Sequence, residues 1–78
     1  MTLKRHSVRI AGHATSVSIE DAFWDEIKRA ARAQGISTAR LIETVDQGRT
    51  AGLPAGARPP NLSSALRLYV LERLKAGR

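Results

Sequence analysis

Apolar and polar residues alternate twice near the start of the chain before a longer period takes over. In "LKRHSVRI", Val8 and Ile10 fall on one face of an extended segment and Arg5, Ser7 and Arg9 on the other, the period of two that marks a half-buried strand. "AGHA" follows, and its glycine supplies the positive φ a hairpin needs, so the chain is expected to double back between Ala11 and Ala14. The alternation then resumes, with Thr15, Val17 and Ile19 on one face and Ala14, Ser16 and Ser18 on the other. These runs predict strands over about 4–10 and 14–18.

From Ser18 the apolar period changes to that of a helix. "SIED" places a hydroxyl N-cap three residues before an acid and puts two carboxylates in the first turn, which predicts a helix over about 19–34. Phe23, Ile27, Ala30 and Ala31 form its apolar stripe with Trp24 at the shoulder, and Gly35 stops it. "GIS" reads as a short connection in which Ser37 caps the next helix, over about 38–47, whose inward residues are Leu41, Ile42 and Val45. The stretch 48–61, with three glycines and three prolines, reads as an irregular loop tacked down by Leu53. Asn61 or Ser63 then caps a third helix over about 62–75, in which Leu66, Leu68, Tyr69, Val70, Leu71 and Leu74 cover most of the circumference.

A helix apolar on nearly every side must be covered on nearly every side, and 78 residues make a thin core. Without cysteine there is neither a disulfide nor a thiolate metal site to make up the difference, so a second copy of the chain is the expected source of burial. Thirteen Lys and Arg against seven Asp and Glu give a formal net charge of +6, which favours a polyanionic partner. No apolar run reaches the roughly 20 residues of a membrane span and the first ten residues do not read as a secretory signal, so no membrane partner and a cytoplasmic location are expected.

Little in the chain supports catalysis. There is no phosphate-cradling glycine loop with lysine and no serine motif with a nearby His/Asp pair, so no enzyme and no cofactor are expected. His6 and His13, on opposite sides of the hairpin, make no metal site, and His13 reads as a structural hydrogen-bonder in the turn.

A strand directly before a helix, a Gly-x-Ser turn and a second helix, carried by "TSVSIEDAFWDEI", "GIS" and "LSSALRLYVL", resemble the ribbon-helix-helix repressors, the superfamily of Arc and the methionine repressor. More narrowly, "SVRIAGHATSVSIEDAFWDEI" with the later "NLSSALRLYVL" is similar to small bacterial proteins described as DNA-binding ribbon-helix-helix proteins. The fold class this implies is α+β, mostly α, a ribbon-helix-helix with an extra N-terminal strand (β-β-α-α-α), assembled as an intertwined homodimer. The resemblance further implies that one strand per chain pairs across the twofold axis and that the ribbon enters the major groove of double-stranded DNA. Positions matching its base-contacting side chains are Ser16 and Ser18, and those matching its phosphate site at the second helix are Ser37 and Thr38, with Arg40 adding charge.

Ser16 and Ser18 are short, whereas bidentate base recognition usually needs Arg, Lys, Asn or Gln. The long donors stand on the first strand. Lys4, Arg5 and Arg9, with Ser7 between the arginines, are therefore expected to contact DNA, mainly at phosphate, Arg9 being the best candidate for guanine. If both strands stay in the sheet, the dimer is four strands wide, and either the first strand peels away as an arm, or it sits at the rim of the groove, or the protein does not read DNA in this way. Two other readings use the same scaffold: a protein-interaction module docking through Trp24 or the 48–61 loop, and an antitoxin-like regulator.

Overall fold

In the computed structural model, which describes residues 2–49, 51, 53–58 and 61–77, two strands are followed by three helices. The strands are β1 (Leu3–Ile10) and β2 (His13–Glu20), and the helices α1 (Asp21–Gln34), α2 (Thr38–Gly48) and α3 (Leu62–Ala76). Of the expected 48–61 connection, positions 50, 52, 59 and 60 lie outside the described residues.

β1 and β2 pair antiparallel along their whole length, from Leu3 opposite Glu20 to Ile10 opposite His13. The first strand is thus part of the sheet and not a separate arm. The turn is tighter than the expected four residues: only Ala11 and Gly12 connect the strands, and both take positive φ, 51° and 82°. Such a two-residue turn matches the right-handed twist of the strands it joins. Alanine reaches that conformation only at a cost of about 1–2 kcal/mol, because its Cβ crowds the following carbonyl.

One face of the hairpin is apolar and the other polar. Ile10, Val17 and Ile19 are buried on the inner face, against Ile27, Ala30 and Ala31 of α1, Leu41 and Ile42 of α2, and Leu66 and Val70 of α3. Three helices on one face of a two-stranded sheet enclose this core.

α1 starts two residues later than expected. Ser18 does not cap it; the strand continues to Glu20, which takes the N-cap position without a side-chain hydrogen bond to the helix's own amides. At its other end Gly35, with φ 70°, donates its N–H to the Arg32 carbonyl, and the Ile36 N–H reaches Ala31, so the last turn is closed by backbone alone. Ser37 Oγ accepts the Arg40 N–H at 3.0 Å and starts α2. Asn61 Oδ1 accepts the Ser64 N–H at 2.8 Å and starts α3, leaving Ser63 free for another task.

That task is to hold α3 on the sheet. Ser63 Oγ donates to the Ser18 carbonyl at 2.9 Å, and Arg67 Nε donates to Glu20 Oε1 at 2.8 Å while its guanidinium lies 5.9 Å from the Phe23 ring centroid. α3 buries Ala65, Leu66 and Val70 on one side and exposes Leu68, Leu71 and Leu74 on the other, so one chain alone covers about half of this helix. Leu53, expected to anchor the loop, is 37% exposed.

Candidate nucleic-acid interface

The strand pleat decides which polar residues stand together. Cross-strand partners share a face, so Arg5 with Ser18, Ser7 with Ser16, and Arg9 with Ala14 form one continuous outer surface, and all six residues are exposed. Along β2 it is shallow, made of alanine and serine. Along β1 it carries two guanidinium groups.

Those two arginines differ from several other cations among the described residues. Lys28, Arg29, Arg40, Arg49 and Arg67 each lie within 4 Å of a carboxylate, whereas Arg5 and Arg9 have no such partner among the described residues. Arg9 Nη1 makes one long hydrogen bond, 3.4 Å, to the Gly12 carbonyl. Arg5 makes none. Their charge is therefore left to attract an external anion.

Lys4 stands apart from the residues it was grouped with. It lies opposite Ile19, on the helix-facing side of the sheet, and its Nζ is 3.3 Å from Asp21 Oδ2. The alternation that puts Val8 and Ile10 inward puts every even position of β1 inward with them. Parity therefore separates Lys4 from Arg5 and Arg9, a signal present in the sequence.

Ser37, Thr38 and Arg40 cluster at the start of α2. The Ser37 hydroxyl already caps the helix, Thr38 is half-buried, and Arg40 Nη1 is 3.0 Å from Glu43 Oε1. Sequence reading missed Glu43, which ties this helix end to the hairpin. Its other oxygen, Oε2, accepts the Ala11 N–H at 3.2 Å, across 32 residues of chain. One carboxylate thereby supports the strained turn residue and places Arg40 near the hairpin tip, at the Arg9 end of the outer surface. No local motif announces such a contact.

At the opposite end, Glu20 is held below the usual carboxylate range, first by the hydrogen bond from Arg67 and then by its own backbone. It stays ionised and keeps α3 attached there.

The two histidines sit in different environments. His6 stacks on Trp24 with centroids 3.9 Å apart and planes 8° from parallel, and its Nε2 is buried without a hydrogen-bond partner. Trp24 is half-buried against the core, with one ring face covered by this histidine. His13 is exposed and lines a groove of about 320 Å³ beside β2, together with Thr15, Ser16, Asp46, Arg49 and Leu62. Among the described residues no three His, Cys, Asp or Glu side chains come together as metal ligands, and no helix is long and apolar enough to cross a membrane.

Comparison with known proteins agrees with the architecture. A family described as a ribbon-helix-helix domain matches residues 3–74. Among solved structures, an uncharacterized protein from Bordetella pertussis Tohama I superposes with a TM-score of 0.71 at 31% sequence identity, covering 97% of this chain and 60% of that one. This chain thus spans less than two thirds of that protein's length. No curated protein matches it.

Proposed function

The chain belongs to the ribbon-helix-helix domain family, whose members are typically DNA-binding transcription regulators or antitoxins and generally not enzymes, and from that premise we propose that it is a DNA-binding transcriptional regulator acting as a homodimer on an operator. The observation that carries this reading is the outer face of the hairpin. Arg5 and Arg9 stand there without a carboxylate partner among the described residues, in a chain of net charge +6, beside a row of side chains too short to keep another surface away. Arg5, Ser7, Arg9, Ser16 and Ser18 form the surface turned toward DNA, its charge supplied by the two arginines. Ser37, Thr38 and Arg40 supply a further phosphate contact through the first amides of α2 and the Arg40 guanidinium.

Dimerisation is supported by what one chain leaves uncovered: the Leu68, Leu71 and Leu74 side of α3, and the edge of β2 that does not face β1. Trp24, stacked and half-buried, offers a poorer docking surface for a foreign protein than this leucine side.

The test is fluorescence-anisotropy titration with the duplex upstream of the protein's own gene and with a shuffled duplex, at low and near-physiological salt. Tight binding that weakens steeply with salt, and a preference for the native fragment that survives it, are expected. Absence of binding to either duplex at low salt would refute the reading and redirect attention to a protein partner on α3.

A further inference from the structure

The two edges of the hairpin are chemically unlike. Around a two-residue turn the pair next to it, Ile10 and His13, is the hydrogen-bonded one, and pairs alternate from there. Ala14, Ser16 and Ser18 therefore turn their backbone N–H and C=O away from β1, toward the open edge. The Ser18 carbonyl accepting Ser63 Oγ agrees with this alternation. Ala14 and Ser16 are left unpaired in strand geometry, bare of charge, beside the groove that His13 and Thr15 line. The open edge of β1 carries Arg5 and Arg9, and antiparallel self-pairing centred on Ser7 would set each Arg5 against the other chain's Arg9. Like charges directly opposite oppose pairing.

A second copy therefore adds at β2. With Ser18 engaged by α3, the symmetric pairing that uses the free groups joins Ala14 of one chain to Ser16 of the other, with Thr15 on the twofold axis. The sheet then runs β1-β2-β2-β1, and its outer backbones lie three strand spacings apart, about 14 Å. The major groove is about 12 Å wide and about 8.5 Å deep.

Resting on the DNA-binding reading above, we infer that this face does not enter the major groove but bridges it, with the Arg5 and Arg9 rows of the two chains seated on the phosphate backbones along either rim. The centre of the sheet, alanine and serine, spans the groove mouth without reaching the base edges. Sequence preference then comes from groove width and deformability, because those set whether both rims meet the arginine rows at once.

Two measurements test this. Interference footprinting on the bound duplex reads the contacts: phosphate ethylation on both rims should weaken binding, while methylation of guanine N7 in the groove leaves it within about twofold. A guanine whose N7 methylation weakens binding about tenfold or more would show base reading from within the groove and overturn the bridging mode while leaving the DNA-binding reading intact. Failure to bind any duplex overturns both.

Sheet order is read without DNA by oxidative cross-linking, since the chain has no cysteine of its own. Thr15→Cys should form a disulfide-linked dimer, because residues facing each other across a non-hydrogen-bonded pair have Cα atoms about 4.5 Å apart. Ser7→Cys, on the outer strands, should stay monomeric on a denaturing gel. Should Thr15→Cys fail to fold, an equimolar mixture of Ala14→Cys and Ser16→Cys chains replaces it. Cross-linking through Ser7→Cys with none at β2 would overturn the proposed order.

Discussion

Lys4 and Arg5 are neighbours in sequence on opposite faces of the sheet, and this makes them a test with an internal control. Each phosphate neutralised by a side chain releases counterions and contributes about −0.9 to the slope of log K against log salt. In a homodimer Arg5→Ala removes two such contacts, so the slope should become shallower by about 1.8. Between 50 and 200 mM salt the native protein should then lose about 12-fold more affinity than the variant does. The loss at low salt should be the same for every duplex sequence, as expected of a backbone contact.

Lys4→Ala removes the same formal charge from the adjacent residue. Its ammonium faces Asp21 at 3.3 Å on the helix side, so the slope should not change. The exposed pair it breaks should alter stability by no more than about 1 kcal/mol. Anisotropy titrations at four salt concentrations, on a fixed duplex, give all three slopes. If Lys4→Ala flattens the slope as much as Arg5→Ala, the outer face is not the contact surface and the argument fails at its geometric root.

Three further outcomes follow from the packing. Ala11→Gly relieves a left-handed alanine at φ 51° and should raise stability by about 1 kcal/mol in urea denaturation at fixed chain concentration; a loss would mean the turn is not strained. The lowered pKa of Glu20 gives stability that is present above its ordinary value of 4.5 and lost as pH falls from there through the folded value. Arg67→Met should accordingly have a Tm that falls less between pH 7 and pH 3 than the native protein's, and an equal fall would disprove the linkage. Leu66→Ala, at 0% exposure, should cost about 2–5 kcal/mol. Glu72→Ala, an exposed polar position of the same helix, should stay within about 0.5 kcal/mol, and similar costs at the two positions would refute the packing of α3.

Much of the architecture could be read from local pattern. The strand alternation, Gly35 and the Ser37 cap are decided within a few residues of themselves, and each stands where local chemistry puts it. The failures are contacts between distant residues. Ser18 looked like a helix cap because a hydroxyl stands three residues before an acid, yet Ser63, 45 residues away, holds its carbonyl and the strand runs on to Glu20. Glu43 carries no local signal on α2, yet it braces the hairpin turn across 32 residues of chain. For the candidate site, residue identity was legible and orientation only partly so. Arg5 and Arg9 stood out as long donors, while Lys4 was grouped with them on charge although its parity assigns it to the other face.

The arginines along the free edge of β1 also bear on how far assembly can go. A strand edge with open backbone groups is a template, and a chain with two such edges is in principle a unit of an endless fibril. With the pairing proposed above, the uncharged edge would take one partner and the cationic edge would repel the next, so growth would stop at a closed pair. Stripping Arg5 and Arg9 of charge together would thus do more than weaken contact with an anion: it would remove the terminator and leave a self-propagating sheet. On that proposal the residues that would meet the phosphates would also be the ones that limit growth of the sheet.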